Sequence, residues 1–174
     1  ANLWTPDENE PHHPVNQVSW WHAFLFARWA GAALPTDAQW EYACRAGTPP
    51  DWPYWSGHSE ADLAAVAWYE KNGGGRTHRV GEKNKPSPWG MHDMHGNVWE
   101  WCRDWAGELP REPQQDPCGP LAGRGRVVRG GSFVAPAAVS KSGFRAALIP
   151  AEVSAQIGFR VVGPTSDWHP HAVG

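Results

Sequence analysis

The sequence predicts an α+β domain in which two helices come first and short strands on long loops follow. Three observations predict it. Two helical patterns with start and stop signals fill residues 19–47. Beyond them, glycine and proline interrupt the apolar runs, so only short strand-like stretches remain. Thirteen tryptophans beside 19 glycines and 17 prolines mark an ordered, loop-rich chain, because disordered chains are poor in aromatic residues.

The first helix is expected over 19–30. Ser19 can cap it and Gly31 ends it. Trp20, Ala23, Phe24, Ala27 and Ala30 recur at the spacing of one apolar face. The second helix starts at Thr36, just after Pro35. Thr36 and Gln39 make a T-x-x-Q capping box, Trp40, Ala43 and Cys44 form its inner stripe, and Gly47 closes it. A third, shorter helix is expected over 59–67. Then come the turn-forming runs NGGG (72–75) and KPSPWG (85–90), and strand-like runs at 97–101, 126–129 and 158–162. Trp99, Trp101 and Trp105 alternate and read as aromatic core. Residues 163–174 read as a loose end. The 174 residues suit a single domain over 1–174.

Several functional classes find no support. A net charge of −3 gives no electrostatic footprint for nucleic acid or a membrane surface. No apolar run approaches the roughly 20 residues of a membrane span. The first residues, ANLWTPDENEPHH, are polar and do not form a signal peptide, and the compartment is left open. Cys44, Cys102 and Cys118 include no C-x-x-C, which speaks against a disulfide scaffold and a zinc site, while a bridge between Cys102 and Cys118 stays open.

Three stretches are more specific: HPVNQVSWWHAFLFARWAGAALPTDAQWEYACRAG (13–47), WGMHDMHGNVWEWCRDW (89–105) and RVVRGGSF…GFRVV (126–162). In this order they resemble the formylglycine-generating-enzyme (sulfatase-modifying factor) family, from Pro14 to Val162. The resemblance implies a C-type-lectin-like fold in its formylglycine-enzyme version. The family's usual strands upstream of PVNQVSW have no counterpart here, so the fold is trimmed or the chain continues upstream. Enzymes of this family bind copper with cysteines shortly after the RGGS run and oxidise a substrate cysteine. Residues 134–145 contain no cysteine. Soft thiolates hold Cu(I), and His12, His13, His92 and His95 sit in other segments, so no copper is expected. Related sulfoxide synthases take iron ligands largely from an added helical domain, which has no counterpart here.

The length from RGGS to GFR looks closer to another branch of this fold, the variable proteins of diversity-generating retroelements. The resemblance implies a variable-region-like segment at 126–162. There, mutagenesis at adenines turns AAC codons into NNC, a set that lacks Lys, Glu, Gln, Met and Trp. Every residue of VAPAAVS (134–140), AALI (146–149) and VSA (153–155) is reachable from NNC, whereas Lys141, Glu152 and Gln156 fall between these runs. The expected diversified positions are Val134, Ala135, Pro136, Ala138, Ala146, Ala147, Leu148, Ser154 and Ala155. Such a face recognises a protein or other macromolecular ligand by shape and apolar contact, as a paratope does.

The family resemblance also implies a structural calcium site in DMHGNVWE (93–100). Asp93 and Glu100 would supply side chains and Gly96 and Val98 carbonyls, a hard-oxygen set suited to Ca2+. The other reading is that both carboxylates bond only to backbone N–H groups or arginine. The tripeptides EPN and QPD, used by sugar-binding C-type lectins, do not occur. Two functional alternatives stand beside the binding domain: an oxidase of the formylglycine-generating type, and a degenerate structural homologue of it.

Overall fold

A computed structural model describes residues 12–109 and 112–163 of the chain. Three short helices precede a four-stranded mixed sheet: α1 (Trp20–Trp29), α2 (Asp37–Arg45), α3 (Glu60–Val66), β1 (Trp99–Trp105), β2 (Arg126–Arg129), β3 (Ala146–Leu148) and β4 (Ile157–Phe159). The expected calcium stretch and the RGGS run thus flank the central strands.

Each helix starts at a reciprocal capping box. Ser19 and His22 close α1, Thr36 and Gln39 close α2, and Ser59 and Asp62 close α3. The second is the T-x-x-Q box read from the sequence. The α2 stop comes one residue earlier than Gly47 suggests: Ala46 takes the left-handed conformation (φ 48°), and Gly47 follows it there.

The sheet order is β3-β2-β1-β4, antiparallel except for the β1–β4 pair. The period-two alternation of β1 and β2 sorts the core into two faces. Trp101 and Val128 pack with Trp20, Ala23 and Ala27 of α1, while Cys102 and Val127 pack with Trp40 and Cys44 of α2. A third cluster, built on Tyr54, Leu63, Val66 and Tyr69, lies under α3. Trp101 is fully buried and donates its indole N–H to the Val18 carbonyl at 3.0 Å. Cys102 is buried, Cys118 is exposed, and both are free thiols.

Strand β3 departs from the expectation. Residues 146–148 pair with β2 in register Arg126↔Leu148, Val127↔Ala147 and Val128↔Ala146. Ala-Ala-Leu has little intrinsic strand preference, so pairing at the sheet edge, and not local sequence, makes it a strand. Similarly β1 starts at Trp99 and runs on to Trp105, and β4 ends at Phe159.

Candidate functional site

Around the RGGS run the chain is fixed from below. Gly130 and Gly131 both have positive φ (92° and 81°), and a Cβ on Gly131 would lie 2.4 Å from the Ser140 hydroxyl oxygen, so glycine is required there. Arg129, 2 % exposed along its side chain, ties four groups together. Its guanidinium pairs with Asp37 and, at 2.7 Å, with Glu41, and it donates to the carbonyls of Ser142 (3.0 Å) and Phe144 (2.9 Å). Burial works against the Glu41 carboxylate, yet Arg129 and Arg45 outweigh it and hold its pKa below the ordinary value. Arg145 pairs with the other Asp37 oxygen at 2.9 Å and donates to the Gly107 carbonyl.

The segment that follows is pinned almost wholly through its backbone. The Phe133 N–H donates to the Asn97 carbonyl, and the Ala135 carbonyl accepts the Glu70 N–H. Tyr54 donates its hydroxyl to the Ala137 carbonyl at 3.0 Å. His95 Nδ1 lies 2.7 Å from the Ser140 carbonyl. The second segment is held in the same way: Trp20 N–H to the Pro150 carbonyl, Gln17 N–H to the Ser154 carbonyl, and the Asn16 amide to the Ala155 carbonyl. The two segments meet where Ser132 donates its hydroxyl to the Gln156 side chain at 3.1 Å. Backbone carbonyls are the same in every residue, so these bonds fix the path of the chain without specifying the outward side chains.

Of the nine expected positions, Val134 (39 % exposed), Pro136, Ala138, Ala147 and Ala155 are exposed, and Ala146, Leu148 and Ser154 are half-buried. Ala135 is a correction to that set. It is 6 % exposed, and its backbone N–H and carbonyl are both engaged, with Ser132 and Glu70.

Asp93, Gly96, Val98 and Glu100 all line one cavity of about 470 Å³, together with Phe26, Val80, Phe159 and Arg160. The carboxylates there are already engaged. Arg160 clamps Glu100 with two donors, one of them at 2.6 Å, and Trp40 donates its indole N–H to Glu100 at 2.6 Å. Asp93 accepts the Gly81 N–H at 2.7 Å. Burial, reinforced by Glu100, raises the Asp93 pKa against the pull of that N–H. With a guanidinium on both of its oxygens, Glu100 does not fit a calcium ligand. Among the described residues no three His, Cys, Asp or Glu side chains converge on a metal position.

The remaining polar chemistry is quiet. Burial pushes the Cys44 thiol up to about 12 and the Cys102 thiol well above the ordinary range, so neither presents a thiolate at neutral pH. The Arg129–Asp37–Glu41 cluster went unread in the sequence. Its one local signal was the i, i+4 spacing of Asp37 and Glu41 on α2, which puts two acids on one side of a helix whose partner lies 88 residues or more away.

A family profile described as "Sulfatase-modifying factor enzyme 1-like domain" matches residues 4–164. A formylglycine-generating enzyme of Streptomyces coelicolor is 37 % identical over 138 residues, covering 71 % of this chain and 43 % of that one. The chain spans about half the length of the curated relatives it matches. Among solved structures, Treponema denticola variable protein 1 superposes with a TM-score of 0.78 at 28 % identity, covering 91 % of this chain and 74 % of the other. PvdO from Pseudomonas aeruginosa superposes with a TM-score of 0.77 at 28 % identity, covering 87 % and 62 %.

Proposed function

The chain belongs to the family of sulfatase-modifying factor enzyme 1-like domains, and from that premise we propose that it is a non-catalytic binding domain, a variable protein of a diversity-generating retroelement. One observation carries this reading. Apart from the Arg145 side chain, which bonds Asp37 and the Gly107 carbonyl, and the Ser154 hydroxyl, which accepts the Gln156 N–H, the hydrogen bonds that hold residues 134–155 run to their backbone, while Val134, Pro136, Ala138, Ala147 and Ala155 are exposed. The likeness to Treponema denticola variable protein 1 supports it. The ligand is a protein or other macromolecule met by shape and apolar contact, since these five positions carry no charge.

The second reading, an oxidase, draws on the 37 % identity to a formylglycine-generating enzyme. Residues 134–145 hold no cysteine, and the two buried thiols are protonated. Incubation with Cu(I), oxygen and a cysteine-containing sulfatase peptide, followed by mass spectrometry, separates the two. Unchanged peptide agrees with the binding domain, and conversion of the cysteine to an aldehyde overturns it. Sequencing downstream of the gene adds a second check: the reading requires a near-copy of the 126–162 coding segment differing mainly at adenines.

Within this proposal the Arg160 guanidinium takes the place of calcium beside Glu100. Melting temperatures in millimolar Ca2+ and in chelator are expected to agree within about 1 °C, because an ion that does not bind the folded state cannot stabilise it. A rise of several degrees with Ca2+ would restore the metal site.

A further inference from the structure

Helix α1 buries one face and exposes large apolar side chains on the other. Trp20, Ala23 and Ala27 face the sheet. On the opposite side Trp29 is 82 % exposed, Leu25 63 %, Trp21 50 % and Phe26 48 %. Trp21, Leu25 and Trp29 fall at i, i+4 and i+8, so they form one stripe along the helix. Scattered exposed apolar residues need no explanation, but a continuous stripe with two tryptophans marks a contact surface.

We infer that this stripe is the contact between two copies of the chain, packed antiparallel about a two-fold axis at Leu25. Three features select a second copy as the occupant. The stripe reads the same in both directions about Leu25, Trp-x-x-x-Leu-x-x-x-Trp, so a two-fold axis there sets Trp21 of each copy against Trp29 of the other. The stripe holds no charged residue that would call for a complementary partner. His22 and Arg28 lie three residues to either side of Leu25, on opposite flanks of the stripe, so the charged side chain stays at the rim of the contact. The area also suffices. The exposed parts of these four side chains amount to on the order of 500 Å² per copy. Two copies then bury roughly 1,000 Å², the lower bound for a specific interface. The dimer is therefore weak and concentration-dependent.

Sedimentation velocity on the whole chain from about 1 to 500 μM is the test, a range that brackets the affinity of a small interface. The expected result is a monomer–dimer shift across this series. Leu25→Asp, which sets two carboxylates face to face on the axis, abolishes the shift and leaves the far-ultraviolet circular dichroism unchanged. Tyr42→Ala, which removes an exposed aromatic ring on α2, leaves the shift intact. In a Cys118→Ser background, mild oxidation of Leu25→Cys yields a disulfide-linked dimer. Arg28→Cys does not, because the two copies of residue 28 lie about 9 Å apart along the helix, beyond the reach of a disulfide. A wild-type monomer throughout the series overturns the inference. So does a dimer that survives Leu25→Asp, or cross-linking that is as efficient through residue 28 as through residue 25.

Discussion

Arg129→Ala is expected to cost about 3–5 kcal/mol in urea-unfolding free energy, enough to leave a domain of this size largely unfolded. The arginine side chain is 2 % exposed and is the shared partner of Asp37 and Glu41. Removing it takes the buried cation from two carboxylates at once, leaving Asp37 with Arg145 and Glu41 with Arg45, and frees the Ser142 and Phe144 carbonyls at the same time. Arg129→Lys should recover little of this loss. A lysine ammonium supplies the charge but not the planar fork that reaches four acceptors from one position. Retention of wild-type stability by Arg129→Ala would show that the cluster is not what holds the RGGS run to α2.

The second large effect is an acid-dependent loss of stability through His95. The ring is fully buried, edge-on to Tyr54, with Cys44 sulfur 3.9 Å away, the Ser140 carbonyl at 2.7 Å from Nδ1 and the Trp55 N–H at 3.3 Å from Nε2. A neutral ring with its proton on Nδ1 satisfies both bonds. Burial pushes the folded-state pKa down to about 4 from the ordinary 6.5. As pH falls below 6.5 the unfolded chain takes up a proton that the folded chain refuses. Stability is therefore present in full above pH 6.5, declines down to about pH 4, and levels off below. The loss is on the order of 3 kcal/mol. Glu41, with its lowered pKa, adds to the decline, whereas Asp93 and Asp104, raised by burial, oppose it. Comparing urea midpoints of wild type and His95→Asn at pH 7 and pH 4.5 isolates the histidine. The difference between the two proteins should narrow at the lower pH, and a constant difference would contradict the assignment.

The helices were legible because their signals are local. The T-x-x-Q box at Thr36 and the serine caps at Ser19 and Ser59 lie within four residues of the groups they satisfy. Strand β3 was not legible, because Ala146, Ala147 and Leu148 carry no strand preference and owe their conformation to β2. The positions proposed as diversified rest on a pattern of residue types, but residue type does not report burial. Val134 and Pro136 are exposed and Ala135 between them is buried, with its backbone bonded to Glu70 and Ser132. The calcium expectation met a similar limit. Asp93 and Glu100 are near neighbours in sequence, but the arginine that neutralises Glu100 lies 60 residues on.

The most direct measurement of the central claim is a surface-display library randomised at Val134, Pro136, Ala138, Ala147 and Ala155, sorted for folded protein and sequenced before and after sorting. A matched library randomises Ala135, Gly131 and Ser140. The account predicts that the first library passes the folding sort with nearly its starting diversity at all five positions, charged and bulky residues included. The matched library should collapse toward alanine, glycine and serine, since Ala135 and Ser140 are buried and Gly131 has no room for a Cβ. Collapse of the first library to small apolar residues would show that these side chains serve the fold and not a changing ligand, and the binding-domain reading would fail.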